Sequence, residues 1–173
     1  MNSLLQQLQK ELQAVIEGMG TEDVLRRPVS NSGKEGNEKW NAAMIMEHLT
    51  LSYTGTTKGM ERCLDAGKPL ARAATWTDRM KAFVVVGLNY LPDGRKAPER
   101  TRPTGADPHK ILAEFGQHIE RMDAAITACE ERYGRSAKLI DHPIIGPLTG
   151  SQWRKFHCVH GRHHIKQIRR LRA

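Results

Sequence analysis

Residues 149–171 read TGSQWRKFHCVHGRHHIKQIRRL, and this stretch decides the fold. It opens with Thr149-Gly-Ser-Gln152, a capping-box pattern in which the threonine caps the first turn of a helix and the glutamine lies at the third helical position. On that helix, residues three or four positions apart form one stripe. The stripe contains Trp153, Phe156, His157, His160, His164, Gln167, Ile168 and Leu171. We therefore predict a long helix to about Leu171, with three imidazoles and an amide on the face that should be apolar.

Three further segments have the apolar spacing of long helices. They span residues 3–19, about 41–66 and 107–133. Each begins at a residue suited to a helix N-cap, respectively Ser3, Asn41 and Asp107, and glycine marks the end of each. Four helices with one apolar stripe each predict an all-α fold, a four-helix bundle, in one domain that covers residues 1–173.

Residues 68–106 form a long insert between the second and third predicted helices. Within it, Thr77–Leu88 has the character of a short helix, although its FVVV run alone also suits a buried strand. We favour the helix because the sequence shows no partner strand. The run LPDGRKAPERTRPTGADP, rich in proline and glycine, predicts an extended loop, and so does the polar segment 20–39.

Composition and charge exclude several classes of protein. Of the 173 residues, 39% are hydrophobic and 27% are charged, which is typical of a globular protein and not of a disordered or fibrous one. The net charge of +8 favours an anionic partner. Three cysteines without a CxxC motif exclude a disulfide scaffold and a cysteine-only zinc finger. Because the sequence shows no membrane-spanning run and no signal-peptide pattern, we expect a cytoplasmic protein.

The histidines supply a candidate metal site. A buried polar group without a partner costs about 1–3 kcal/mol, so imidazoles on a buried stripe need a partner. His160 and His164 lie four residues apart, a spacing that lets both bind one metal ion from a single helix. The third ligand that we expect is His48, which lies mid-helix on an otherwise apolar face of the second segment. Three neutral imidazoles leave positions for water or substrate, which is the pattern of a catalytic site.

Other histidines are weaker candidates as ligands. His118, on the third helix, is the rival for the third position, but it lies nearer the flank of the apolar stripe. His109 lies at a helix start and His142 in a loop before proline, so we interpret both as solvent or turn histidines. His163 points about 100° away from the histidine that follows it, which predicts an outer-shell or solvent-facing position.

Polar neighbours of the three predicted ligands have candidate roles. His157 lies one turn before His160 and is a candidate general base or hydrogen-bond donor to a ligand. Ordinary hydrogen bonding between helices is an equal alternative for it. Glu47 and Gln167 are expected to orient ligand imidazoles from outside.

Three motifs together resemble a known family. They are WNAAMIMEHL at 40–49, HPIIGPLTGSQW at 142–153 and HGRHHIKQ at 160–167. They look like the DinB/YfiT-like superfamily of metalloenzymes, and more closely its branch of unknown function with an HP..G.L...W...H..HH..Q C-terminal motif. The resemblance covers nearly the whole chain. It implies an antiparallel four-helix bundle, from which this chain departs in its long 68–106 insert.

The resemblance also implies a chemistry. The metal ligands of such proteins fall on His48, His160 and His164, the three that the spacing selects, and hold a divalent metal, zinc or nickel. Relatives of known activity resemble thiol S-transferases that use bacillithiol, mycothiol or glutathione, while some are isomerases or hydrolases. Their subunits often pair.

We therefore expect a divalent-metal-dependent enzyme that activates a small thiol or water for transfer to an electrophile. We also expect a homodimer, because the FVVV segment has apolar surface to spare. The alternatives are a metal-dependent hydrolase, a metal-binding module without turnover, and a nucleic-acid-binding or stress-response protein that uses the basic last helix. The cations of that helix spread around it instead of forming one stripe, which argues against nucleic acid.

Overall fold

The computed structural model of the protein describes residues 1–26, 40–92 and 96–172, and helices make up most of this part of the chain. The α-helices are α1 (Ser3–Ile16), α2 (Thr21–Leu25), α3 (Ala42–Asp65), α4 (Trp76–Ala82), α5 (Pro108–Tyr133) and α6 (Gly150–Arg172). A two-stranded sheet, β1 (Ile140–His142) and β2 (Gly146–Leu148), joins α5 to α6. None of the described helices is long and apolar enough to cross a membrane.

The four predicted long helices are all present, which confirms a mainly helical fold. α3 packs along α5 and α1 packs along α6, while α6 also contacts both α3 and α5. Their apolar faces meet in one core. Completely buried side chains in it include Leu5, Leu8, Leu12, Leu49, Tyr53, Met60, Ile119, Met122 and Ile126. The bundle of the DinB/YfiT type and the single domain over 1–173 stay predictions.

Local capping explains why the later helices begin where the sequence predicts. Asn41 and Asp107 cap α3 and α5 through their side chains, as expected. The predicted capping box forms at α6. There the Gln152 amide donates to Thr149 Oγ1 at 3.3 Å, and the Thr149 amide donates to Gln152 Oε1 at 3.1 Å. Because these signals are local, the predicted bounds of the later helices lie within one or two residues of the observed ones.

The N-terminal region differs from the prediction. Asn2, and not Ser3, caps α1, because the Asn2 side chain accepts from the Leu4 amide at 3.0 Å. The helix ends at Ile16, earlier than the predicted residue 19. The short helix α2 occupies the start of the segment 20–39, which was expected to be a loop, and residues 27–39 of that segment lie outside the described residues.

The insert contains the predicted short helix and no strand at FVVV. A π-helix, Phe83–Gly87, continues α4 directly. Val85 and Val86 are buried against the core, so packing satisfies their apolar side chains without a sheet. The predicted loop that follows is interrupted by a 3-10 turn, Glu99–Thr101, and residues 93–95 lie outside the described residues.

The β1–β2 hairpin has no counterpart in the sequence-based prediction. Its strands are antiparallel, with Ile140 opposite Leu148 and His142 opposite Gly146. Three-residue strands are too short to show an alternating pattern, so no periodicity marks them. The hairpin turns the chain from the end of α5 into the start of α6.

Asp78 connects the insert to this hairpin. Its carboxylate accepts from the Thr75 amide at 2.9 Å at the start of α4 and pairs with Arg72 at 2.6 and 2.9 Å. Gly146 lies directly against it, and a Cβ on Gly146 would be only 2.5 Å from Asp78 Oδ1. The φ of Gly146 is also +86°, a backbone conformation that glycine adopts without steric strain. This position therefore requires glycine for two separate reasons.

Gly146→Ala should destabilise the fold by more than Gly134→Ala does. Both glycines have positive φ, but nothing lies within 4 Å of a Cβ at Gly134. Backbone strain alone predicts about 1–3 kcal/mol for each variant, and only Gly146→Ala adds the clash with Asp78. Urea unfolding of both variants measures the difference. Equal losses of stability would show that the Asp78 contact contributes nothing.

Candidate metal centre

Three predicted ligands come together between α3 and α6. His48 is on α3, and His160 and His164 are one turn apart on α6. The Nε2 atom of His160 lies 3.0 Å from Nε2 of His48 and 3.1 Å from Nε2 of His164. All three rings are buried, with at most 9% of any of these residues exposed. The structure thus forms a cluster of three imidazole nitrogens that could hold a metal ion.

The outer nitrogens of two of these rings are held by hydrogen bonds. His48 Nδ1 lies 2.6 Å from the backbone carbonyl of Thr101, an acceptor, so this nitrogen carries the proton. His164 Nδ1 lies 2.8 Å from Oε1 of Gln167, which likewise accepts. In the neutral ring the other nitrogen is then unprotonated. Both rings therefore point a lone pair of Nε2 toward His160. Gln167 contacts His164, and its role in orienting a metal ligand stays a prediction.

The three converging nitrogens cannot satisfy one another. A proton on Nε2 of His160 can be donated to only one of the two facing lone pairs, which leaves another nitrogen contact near 3 Å without a hydrogen. A divalent cation accepts all three lone pairs at once. In tetrahedral zinc sites with Zn–N of about 2.0–2.1 Å, two ligand nitrogens lie about 3.3 Å apart, close to the spacing found here. Imidazole suits zinc, nickel, copper and iron alike, so the donor set fits a divalent metal without selecting one.

Burial keeps these imidazoles neutral. It lowers the pKa of His48, and it lowers the pKa of His164 to about 3, helped by the neighbouring His48. Burial also lowers the pKa of His160 strongly, and a positive charge on either neighbouring ring would oppose protonation further. A metal ion binds the neutral form of histidine. The site is consequently in its metal-binding protonation state near pH 7.

Glu47 acts on the insert and not directly on an imidazole. Its Oε1 accepts from the Thr104 amide at 2.7 Å and from the Thr104 hydroxyl at 2.8 Å. Its Oε2 accepts from the amides of Gly105 and Ala106 at 3.1 and 3.2 Å. These four hydrogen bonds clamp residues 104–106, and the role predicted for Glu47, orienting a ligand imidazole from outside, stays a prediction. That clamp holds the loop whose Thr101 carbonyl accepts from His48.

His157 lies beside the cluster but outside it. Only 1% of it is exposed, and its Nε2 lies 2.9 Å from the hydroxyl of Thr56. Its ring packs on Trp153 and Tyr53, at centroid distances of 5.8 and 5.3 Å. Burial, with a smaller contribution from His142, lowers its pKa to about 3. Within the described part of the chain its Nδ1 has no hydrogen-bond partner.

The chain matches the model of one protein family over residues 21–171, and that family is described as "Protein of unknown function (DUF1569)". The chain belongs to this family. The matched DUF1569 region contains all three converging histidines and the whole of the insert. No curated protein and no solved structure matches the chain. Because the family description gives no activity, the function has to be argued from the site itself.

The DUF1569 region contains one further histidine near the centre, His142, that sequence reasoning assigned only to a turn. His142 is the last residue of β1 and not part of a loop, and its Nδ1 accepts from the amides of Ile144 and Ile145 in the hairpin turn, both at 3.2 Å. Its ring also packs on Phe156 and Trp153 of α6, at 4.4 and 5.5 Å. Burial lowers its pKa to about 4. The nearby capping box could have indicated that this turn leads directly into the helix that carries the ligands.

The remaining histidines lie away from the cluster. His118, the rival for the third position, is half-buried and contacts Thr54 Oγ1 at 3.2 Å. His109 is exposed at the start of α5. His163 lies on the outer side of the site, where its Nε2 is 3.1 Å from Nε2 of Gln167. It therefore contacts the residue whose Oε1 lies beside His164 Nδ1, and its outer-shell position stays a prediction.

We expect the protein, purified without a histidine tag and without added metal, to contain about one divalent ion per chain. His160→Ala should lose most of that metal, because two neutral ligands hold zinc poorly against water. Elemental analysis of both proteins measures the difference. His109→Ala is the matched control and should keep its metal, since this histidine is exposed. Equal metal content in wild type and in His48, His160 and His164 variants would contradict the assignment.

The metal-free protein should lose stability as the pH falls from 7 to 5, in part through His157. The pKa of this residue is about 3 in the folded protein and near 6.5 in the unfolded chain, so only the unfolded chain takes up a proton in this range. The resulting loss is about 2 kcal/mol for this residue alone.

Urea unfolding at both pH values, with a metal chelator present, measures this loss. His157→Phe removes the titrating group, so the stability of that variant should depend less steeply on pH. An equally steep loss in the variant would show that His157 is not responsible.

Proposed function

We propose that this protein is a divalent-metal-dependent enzyme that makes a small thiol, or water, react with an electrophile. The proposal includes zinc or nickel as the metal and an antiparallel four-helix bundle of the DinB/YfiT type. One observation carries it: the Nε2 atoms of His48 and His164 lie 3.0 and 3.1 Å from Nε2 of His160, and both present a lone pair to it. Thiol S-transfer is the first candidate reaction and hydrolysis the second.

The ligand set supports an open site. Within the described residues the cluster consists of three imidazoles and includes no cysteine or carboxylate. Structural zinc sites are closed by four protein ligands, whereas catalytic sites keep a position for water or substrate. A divalent metal ion supplies Lewis acidity, which makes a thiol or a water molecule nucleophilic near neutral pH. Neutral ligands leave the charge of such an ion uncompensated.

Neighbouring groups of the protein orient the ligands and limit the access of water to them. The carbonyl of Thr101 and the amide of Gln167 hold the His48 and His164 rings by their outer nitrogens. Such hydrogen bonds fix the tautomer and the orientation of a ligand imidazole. Trp40 packs against His48 at 4.9 Å, and Phe156 stacks on His160 at 5.4 Å. These apolar rings exclude water from two sides of the ligand set and keep its dielectric low.

His157 is the candidate catalytic residue of the proposal. Its Nδ1 is buried and has no hydrogen-bond partner within the described part of the chain, so this nitrogen is free to form one further hydrogen bond. A pKa of about 3 keeps the ring neutral, which is the form that a general base needs, but makes it a weak base. Accepting or donating one hydrogen bond is therefore the role that its environment favours.

The substrate in this proposal is a small, anionic, low-molecular-weight thiol. A net charge of +8 attracts a thiol that carries carboxylates. Homodimer formation belongs to the same proposal, although Val85 and Val86 are buried and only Phe83 of the FVVV run is largely exposed.

The nucleic-acid alternative is weakened by ion pairs on α6. Arg154 is buried and pairs with Asp123 at 2.5 Å and with Glu130 at 2.6 Å. Arg162 pairs with Glu11 at 3.0 Å. Two of the cations that could contact phosphates are therefore already paired with carboxylates, Arg154 in the interior and Arg162 at the partly exposed surface. A charge used in this way adds little to phosphate binding.

Metal-loaded protein should catalyse the reaction of a low-molecular-weight thiol with a chromogenic electrophile. The rate should persist below the usual thiol pKa of about 8.5, because a metal lowers the pKa of the group that it binds. Initial rates across pH for bacillithiol, mycothiol and glutathione measure this effect.

His160→Ala is the inactive control for the thiol assay, and His109→Ala is the matched variant that should keep full activity. The absence of both thiol binding and metal-dependent turnover with every thiol would reject the transferase proposal. Metal-dependent hydrolysis of a chromogenic ester by the same protein would then support the second candidate reaction.

A further inference from the structure

A cavity, called the second cavity because it is separate from the histidine cluster, lies where the insert meets the hairpin and the start of α6. Its volume is about 290 Å³, near the lower end of the range for small-molecule sites. Residues from α4, the π-helix, β2 and the first turns of α6 line it, and none of the three converging histidines does. Lining residues that matter below are Asp78, Arg79, Phe83, Val86, Lys138 and Lys155. The cavity is therefore a separate feature of the molecule.

Three cations line this cavity without a carboxylate to balance them. Asp78 is the acidic residue in the lining, and its carboxylate already pairs with Arg72. Within the described residues, Arg79, Lys138 and Lys155 form no ion pair.

Half-buried Lys138 lies close to a second cation of the lining, Arg79. Its Nζ donates to the amide oxygen of Gln152 at 2.5 Å, and burial together with the charge of Arg79 lowers its pKa. Cations held close together in this way form a favourable site for an anion.

Part of the cavity lining is apolar. In the π-helix the Leu88 amide donates to the carbonyl of Phe83, five residues earlier, at 2.9 Å. This wider turn places the Phe83 ring over Gly87, where a Cβ would lie 3.0 Å from the ring. Phe83 is 57% exposed, whereas Val86 beside it is buried. Single π-helical turns occur frequently at functional sites, and this one contributes an apolar wall to the cavity that the cations line.

We propose that this cavity binds a small amphipathic anion, a carboxylate or phosphate monoester with a short hydrocarbon tail. The anionic head contacts Arg79, Lys138 and Lys155, and the tail lies against Phe83 and Val86. A purely apolar ligand would contact only the apolar side chains, and an inorganic anion would contact only the cations. An amphipathic anion therefore fits the cavity better than either of them. The proposal does not depend on the metal centre or on the reaction proposed above.

Calorimetric titration with hexyl phosphate, inorganic phosphate and hexanol tests this site. Hexyl phosphate should bind at least about tenfold more tightly than either of the others, because only it can contact both the cations and the apolar side chains. Binding should be the same in His160→Ala, which separates this site from a phosphate contact at the metal centre. Loss of binding in that variant, or equal affinity for inorganic phosphate, would overturn the proposal.

Two substitutions in the lining and one outside it locate the site. Lys155→Glu should weaken hexyl phosphate binding by at least about tenfold, since a charge-assisted hydrogen bond is lost and replaced by repulsion. Phe83→Ala should weaken hexyl phosphate and leave inorganic phosphate unchanged. Lys81→Glu makes the same charge change on the exposed surface of α4, outside the lining, and should have an effect of less than about threefold. Equal effects of the two lysine variants would show binding to the general basic surface.

An experiment with lipid vesicles distinguishes binding of a free amphiphile from binding to a membrane surface. Trp76 and Met80, which are 72% and 43% exposed, lie on α4 close to the cavity. Sedimentation with phosphatidylglycerol vesicles should leave the protein in the supernatant. Co-sedimentation without any binding of monomeric hexyl phosphate would overturn the small-ligand proposal in favour of a lipid surface. Thermal unfolding of each variant verifies that it is folded.

Discussion

The constraint on which the rest of the site depends is a buried group of three neutral imidazoles, in which the Nε2 atoms of His48 and His164 both lie near 3 Å from Nε2 of His160. Two come from adjacent turns of one rigid helix, and the third comes from a helix 112 residues away in sequence. Hydrogen bonds within the protein hold the Nδ1 atoms of His48 and His164. The lone pairs on the Nε2 atoms of these two rings are therefore both directed at Nε2 of His160. Within the protein these lone pairs have no common donor, because one proton cannot serve two acceptors. This uncompensated convergence is the physical basis for assigning a metal to the site.

The long insert contributes to both candidate sites and is more than a connection between helices. Glu47 holds residues 104–106 through both of its oxygens, and the same loop supplies the Thr101 carbonyl to His48. The insert's other end contacts the hairpin where Asp78 meets Gly146. Its π-helical turn, finally, forms the apolar wall of the second cavity. A change in the path of the insert would therefore alter the orientation of a ligand and the shape of the cavity together.

The distribution of charge separates cations with a structural role from those available to a ligand. Arg154 and Arg162 are held by carboxylates from other helices and fasten α6 to α5 and α1. Because each of these cations is paired with a carboxylate, it contributes little to the external field of the protein. The cations around the second cavity differ, because the carboxylate beside them pairs with Arg72. The structure thus shows where three of the unpaired cations lie, which the net charge of +8 alone does not show.

Helix positions and the three candidate ligands were predictable from the sequence because both depend on local order. Capping by Asn41 and Asp107 and the capping box at Thr149 act within three residues, and the spacing of His160 and His164 is a property of any helix. Only the tertiary structure decided that Thr101 accepts from His48, that Glu47 clamps a loop, that a hairpin precedes α6 and that His142 packs on Phe156. These contacts join residues whose separation in sequence has no relation to the repeat of a helix or a strand. His48 and Thr101, for example, are 53 positions apart. The path of an irregular loop between such residues is set by packing and by the need to satisfy buried polar groups, and neither leaves a repeating mark in the sequence.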